Sequence, residues 1–284
     1  SRPAIRADES SGALVYSVPI VIPPGRNGLQ PDVSLTYNSQ RTNNDNILGY
    51  GWDLSIPSIE RMNKSGTETL YSDDYFTSSF DGELIRSASS TDTRGYSPRV
   101  AGEETKEYTF FETDDAWQAV DKFGTVYTFG STTAARQDDP EDSTKIYKWM
   151  LQEVRDKNDN YIIYTYTKDR GQIYPSTITY TGHGTTDGDF QISFGTESRS
   201  DYFASRKTAF PVESWYRVNQ ILVKIDGAWV RKYDLAYTTG ANGARSLLSS
   251  VTETGKDKDG NTIALPAISF TYQSGNPSWS IDAT

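Results

Sequence analysis

The chain has 284 residues, with 28 basic and 38 acidic side chains for a net charge of −10, and no cysteine. That length supports one large or two small β domains with a sizeable core. The charge disfavours nucleic acid and anionic membranes, which carry the same sign, and the missing cysteine excludes disulfides, thiolate metal sites and a cysteine nucleophile.

No apolar run reaches the length of a membrane span. The opening SRPAIRADESSG is polar and lacks an initiating Met, so the sequence reads as a fragment of something longer. It carries 19 Tyr and only 2 Met. Tyr suits a pleated, half-exposed surface, where its ring packs and its hydroxyl stays wet.

In chain order, the first expected strand covers 14–22. PPGRNGLQPDVSLTYNS (23–39) follows. Pro23 and Pro24 hold the backbone extended and offer no N–H to a neighbour. Gly25 and Gly28 then permit a sharp reversal into a strand in which Val33, Leu35 and Tyr37 share one face. A second glycine knot, LGYGWDLSIP (48–57), sets Gly49 and Gly51 around Tyr50 and before Trp52. It reads as a well-built corner of a β fold; the functional alternative makes Tyr50 and Trp52 a sugar-stacking platform.

Alternation then predicts strands at 108–111, 125–129, 147–154, 161–167, 177–181, 221–225, 230–237 and 268–272. Between them one pattern recurs, in SFDGELI, VDKFGTVYTF, VRDKNDNYIIYTY, KIDGAWVRKYDLAY and GKDKDGNTIALPAISFTY. Asp bonds its own backbone to start a turn, and Gly takes the positive φ that a tight hairpin needs. At 159 an Asp stands where Gly would be commonest, which the left-handed region tolerates. Two stretches, 87–106 and 131–145, lack alternation and read as loops, disordered or lying over a sheet edge. No helical stripe carries caps at both ends. The expected fold class is all-β: repeated antiparallel hairpins forming a large curved sheet or two packed sheets, with little helix.

The segment SGALVYSVPIVIPPGRNGLQPDVSLTYNSQRTNNDNILGYGWDLSIPSIER resembles the opening of the SpvB-type amino-terminal domain, found in Salmonella virulence plasmid B proteins and in B components of insecticidal toxin complexes. YKWMLQEVRDKNDNYIIYTYTKDRGQIYPSTITYTG is similar to its later pattern of Trp149, the Asp156 turn, Tyr164-x-Tyr166 and Tyr-Pro. RVNQILVKIDGAWVRKYDLAY, SLLSSVTETG and LPAISFTY resemble its end. The resemblance covers 10–273, with a candidate division into sub-sheets near 131–145 and flanks at 1–9 and 274–284. It implies a bacterial, secreted or cell-surface structural module of an RHS or YD-repeat protein. Such a module would form part of a β-sheet shell around a toxic polypeptide. Its implied partner is the adjacent repeat sheet of the same chain or of another subunit. The residues it singles out as architectural are Pro23, Pro24, Gly25, Gly28, Tyr37, Gly49, Gly51, Trp52, Trp149, Asp156, Tyr164 and Tyr166.

Signals for chemistry are sparse. His183 is the only histidine, in a loop-like run, and there is no G-x-S-x-G elbow. Actin ADP-ribosylation in the SpvB family belongs to a separate carboxy-terminal domain whose motif includes Glu-x-Glu, and neither Glu-x-Glu nor Gln-x-Glu occurs here. The expectation is therefore no enzyme and no cofactor. DKNDN and DKDGN lack the spacing of an EF-hand loop. Asp138, Asp139, Glu141 and Asp142 are the candidate for calcium, against a solvated loop as the plainer reading. The alternative function is a secreted or surface carbohydrate-binding or adhesion module, motivated by the Tyr and Trp content.

Overall fold

The computed structural model describes residues 6–8, 11–41, 46–202, 204–240 and 245–272. Strands hold 56% of the chain and helix 2%, as the alternation predicts. The flank 274–284 lies outside the described residues.

The first unit is a four-stranded antiparallel sheet of β1 (Arg6–Ala7), β2 (Leu14–Pro19), β3 (Ser34–Asn38) and β4 (Trp52–Leu54). Strand β2 stops at Pro19, earlier than expected, and the sharp turn is instead a long excursion over 20–33. Its only regular element is the short 3-10 turn Arg26–Gly28. The reason is tethering elsewhere: Val21 N–H donates to the Tyr233 hydroxyl at 2.9 Å, and the Tyr180 hydroxyl donates to the Pro23 carbonyl at 3.0 Å. Gly28 does take a positive φ of 80°, but Gly25 is extended (φ −78°). Its requirement is close approach, since a Cβ there would lie 1.9 Å from the Leu29 carbonyl oxygen.

A closed barrel follows, formed by β5 (Ser58–Arg61), β6 (Phe76–Ser78), β7 (Gly82–Ser89), β8 (Thr93–Pro98), β9 (Glu107–Phe111), β10 (Ala116–Val120), β11 (Val126–Phe129) and β13 (Asp142–Arg155). Each is antiparallel to the next, and β13 pairs with both β11 and β5 to close the ring. Closure goes beyond the open or packed sheets that the hairpin pattern suggests. It depends on one long strand: Lys148–Met150 of β13 meets β5, while Leu151–Arg155 meets β11. An eight-stranded barrel has an interior just wide enough to fill with side chains. Here the filling is aromatic. Phe76, Tyr96, Trp117 and Trp149 meet edge-on or tilted, with ring centroids 4.9–6.1 Å apart.

Stretches 87–106 and 131–145, expected as loops, contain β8 and β12 (Arg136–Asp139), the latter paired with β13. Alternation fails to mark them because β8 buries only Tyr96, and β12 buries polar groups, Gln137 and Asp138. These are matched locally: Gln137 Nε2 donates to the Gly171 carbonyl at 2.9 Å, and Lys168 Nζ to Asp138 Oδ1 at 2.5 Å.

From β13 the chain departs as an antiparallel meander. Its strands are β14 (Asn160–Asp169), β15 (Gln172–His183), β16 (Phe190–Ser198), then, after a two-stranded ribbon of β17 (Ala204–Ser205) and β18 (Val212–Glu213), β19 (Tyr216–Ile225), β20 (Ala228–Thr239) and β21 (Ser246–Lys256). Short β22 (Thr262–Ala264) and β23 (Ile268–Ser269) each pair with part of β21. One face of this tail buries Ile162, Tyr164, Ile178, Tyr180, Val223 and Tyr233, which join Val18, Val33, Leu35 and Trp52 of the small-sheet region in a single core. The ribbon straps tail to barrel, with Phe210 and Val212 packed among Leu70 and Tyr147.

Candidate functional site

Three places bring functional side chains together: an aromatic knot, an ion-pair latch and a polar cleft. The knot seats the small sheet. Trp52, 1% exposed, lies among Tyr16, Tyr37 and Phe270, and its indole N–H donates to the Tyr272 hydroxyl at 2.8 Å. That hydroxyl donates onward to the Leu248 carbonyl at 2.7 Å. Gly51 (φ 80°) admits this packing, for a Cβ there would stand 2.5 Å from the Tyr37 ring. Gly49 (φ 84°) lies against the Ser246 carbonyl, and the adjoining Tyr50 N–H donates to that oxygen at 2.9 Å. Arg245 covers the Tyr50 ring at 4.3 Å. With Trp52 buried, these two rings present no paired platform for a sugar.

The latch ties the tail to the loop before β4. Arg199 grips Asp201 with Nε and Nη2 at 2.9 and 2.7 Å and donates from Nη1 to the Asn46 carbonyl at 2.9 Å. The Ser246 hydroxyl and backbone N–H also donate to Asp201. Burial pushes the Asp201 carboxyl up, but the Arg199 fork and Ser246 outweigh it and hold it well below the usual carboxylate range.

The cleft lies where barrel wall, small sheet and tail meet, and encloses about 650 Å³. Lys148 and Glu60, register partners on β13 and β5, form its floor and pair at 2.8 Å. Burial alone would lower the Lys148 ammonium, yet the facing Glu60 holds it above the usual lysine range. Thr36, Arg41 and Asp53 contribute from the small sheet, and Gln137, Tyr166 and Gln172 from the far wall.

The residues singled out by sequence are dispersed. Tyr37, Gly51 and Trp52 share the knot. Pro23 touches the tail, while Pro24 and Gly28 are exposed. Trp149 fills the barrel and donates its Nε1 proton to the Asp115 carbonyl at 2.7 Å. Tyr164 is in the tail core, and Tyr166 lines the cleft and donates to the Leu151 carbonyl. Asp156 caps its turn, accepting from the backbone N–H groups of Asn158 and Asn160 at 2.8 and 2.9 Å. The acidic run divides: Asp138 pairs with Lys168, Asp139 and Asp142 lie 3.8 and 3.2 Å from Lys145, and Glu141 is exposed. His183 is exposed at the end of β15. Lys148, Glu60, Asp201 and Tyr272 carry no sequence signal, because each acquires its role from a partner distant in the chain.

Residues 8–185 match the model of the Salmonella virulence plasmid 65kDa B protein family, SpvB. The chain belongs to that family. A curated SpvB relative, the Mono(ADP-ribosyl)transferase SpvB of Salmonella typhimurium, is 26% identical over 192 residues, covering 59% of this chain and 32% of its own length. The expectation of no enzyme is corrected by that relative, which is named as a transferase. This chain spans about a third of that relative's length. Among solved structures, the fold is similar to TcdB2-TccC3 (TM-score 0.79, 21% identity, 95% of this chain and 17% of that one). It is also similar to the Photorhabdus luminescens Tc holotoxin pore (TM-score 0.82, 20% identity, 96% and 16%). The N-terminal domain of effector protein SpvB from Salmonella typhimurium strain LT2 matches with TM-score 0.62 and 17% identity, over 90% of this chain and 99% of that one.

Proposed function

We propose that this SpvB-family chain is a structural module of a toxin-complex or YD-repeat protein, secreted from its bacterium and forming part of a β-sheet shell around a toxic polypeptide. The observation that carries the reading is the tail. It grows by successive hairpins to β21, whose outer side is covered, among the described residues, by the short β22 and β23. Ile263 and Leu265 are 55% and 50% exposed along that edge. A strand edge of this kind accepts further strands, from the same chain or from a partner subunit. The fold likeness to chains roughly six times longer, in assemblies named as toxins, supports the same reading. The barrel and small sheet would then close one end of the shell. Negative-stain electron microscopy of the full reading frame, co-expressed with its neighbouring partner, tests this. A hollow particle is expected; a solid particle with this domain on a tether would overturn it.

A further inference from the structure

The cleft is more selective than a gap between sheets. Its cations are Arg41, Lys148 and Lys207, and its carboxylates Asp32, Asp53 and Glu60. Lys148 pairs with Glu60, and Arg41 approaches Asp53 to 3.7 Å. Among the described residues these charges balance, three against three, so the lining favours no phosphate, nucleotide or acidic peptide.

Its walls also discourage strand addition. Along β4 the Trp52 N–H donates to the Gly49 carbonyl at 3.3 Å, and the Leu54 N–H donates to Asp53 Oδ1 at 2.9 Å. The Leu54 carbonyl accepts from the Ile56 N–H at 2.7 Å. These three backbone groups, which an added strand would use, are already engaged.

Side-chain hydroxyls remain. Ser55 Oγ accepts from the backbone N–H and the hydroxyl of Ser34 at 2.8 and 3.0 Å, and Ser79 Oγ accepts from the Ser58 N–H at 2.9 Å. A serine that accepts still has its own proton to donate. Half-buried Phe80 and Pro57 supply apolar surface in the same walls. The volume lies within the range of small-molecule sites, about 300–1,000 Å³.

We propose that this cleft binds a neutral oligosaccharide. Sugar hydroxyls both donate and accept, matching the serines and the Lys148–Glu60 pair, while the C–H faces of the rings pack on Phe80 and Pro57. The site is separate from the Tyr50 and Trp52 corner and independent of the shell reading.

The test uses the whole chain on an array of neutral, sialylated and sulfated glycans, followed by calorimetry with the best-retained neutral glycan in solution. Two variants place bulk in the cleft: Thr77→Arg on β6 and Ser79→Trp at the exposed turn after it. The expected result is retention of neutral glycans and a loss of affinity of roughly tenfold or more in a variant whose melting curve is unchanged. Failure to retain any neutral glycan, a preference for anionic ones, or undiminished binding by the folded variants would overturn the proposal. Ser79→Trp keeps the test decisive if Thr77→Arg does not fold.

Discussion

Trp52 and Tyr272 stand 220 residues apart in sequence and share a 2.8 Å hydrogen bond at the centre of the aromatic knot. The indole is buried, so removing its acceptor leaves a donor without water. Tyr272→Phe is expected to cost about 2 kcal/mol of stability. Adding Trp52→Phe should cost less than the two single changes summed, because both remove the same bond. Urea denaturation of the two single variants and the double variant measures this; strict additivity would show that the bond contributes nothing.

Gly51→Val should destabilise by about 3 kcal/mol, since a β-branched residue meets both a left-handed backbone and the Tyr37 ring. An unshifted melting curve would remove Gly51 from the corner.

The latch predicts loss of stability in acid. The folded-state pKa of Asp201 is depressed, so its contribution is fully present above the unfolded value near ~4 and is lost as pH falls through the folded one. Asp156 is shifted the same way, burial raising it and its turn hydrogen bonds outweighing that, while Glu83, Asp142 and Asp257 are lowered by their hydrogen-bond partners at solvent-accessible positions where water screens the effect. Denaturation midpoints should fall from neutral pH towards pH ~3, and less steeply in Asp201→Asn. An identical slope in the variant would exclude the latch as a source.

At high pH the tyrosines act in the opposite sense. Burial pushes Tyr127, Tyr174, Tyr180 and Tyr272 up to about 12. Their stabilising effect is present below the unfolded value near ~10 and is lost as pH rises towards the folded one. Tyrosinate absorbance should therefore rise in two phases, the later one coinciding with unfolding. A single phase near ~10 in a folded protein would contradict the burial.

The Asp-started turns repay close comparison. Asp121, Asp156 and Asp257 each accept two backbone N–H groups through Oδ1, from the residues two and four positions on. The fourth residue of each turn is left-handed: Gly124 at φ 82°, Asp159 at 64° and Gly260 at 84°. Asp159→Gly should stabilise by about 0.5 kcal/mol, relieving strain while losing only a largely exposed pair with Arg155. A lower melting point would mean that the ion pair outweighs the strain.

Those turns were readable because Asp and Gly act within a few residues. The expected strands at 161–167 and 230–237 fall within β14 and β20 for a similar reason, with one face of each buried. Barrel closure was not readable, because alternation marks which side chains turn inward and says nothing of which strand meets which. Arg61 illustrates the limit. It looks like an ordinary cation, yet it lies 5.1 Å from Phe76 and 5.5 Å from Trp149 by ring centroid. It also donates to the carbonyls of Leu70, Asp73 and Ile146. Those partners are supplied by the closed barrel, as the cleft's Lys148–Glu60 pair is supplied by the meeting of β13 with β5.

Strand β13 also fixes the order of events during synthesis. Until it leaves the ribosome, β5 and β11 each lack their closing partner, and the rings of Phe76, Tyr96 and Trp117 face an open trough. Pairing on both sides of this one late strand converts the trough into a sealed interior. Nascent chains halted before Asp142 should therefore be protease-sensitive and dependent on chaperones, whereas chains extended past Arg155 should carry a protected barrel.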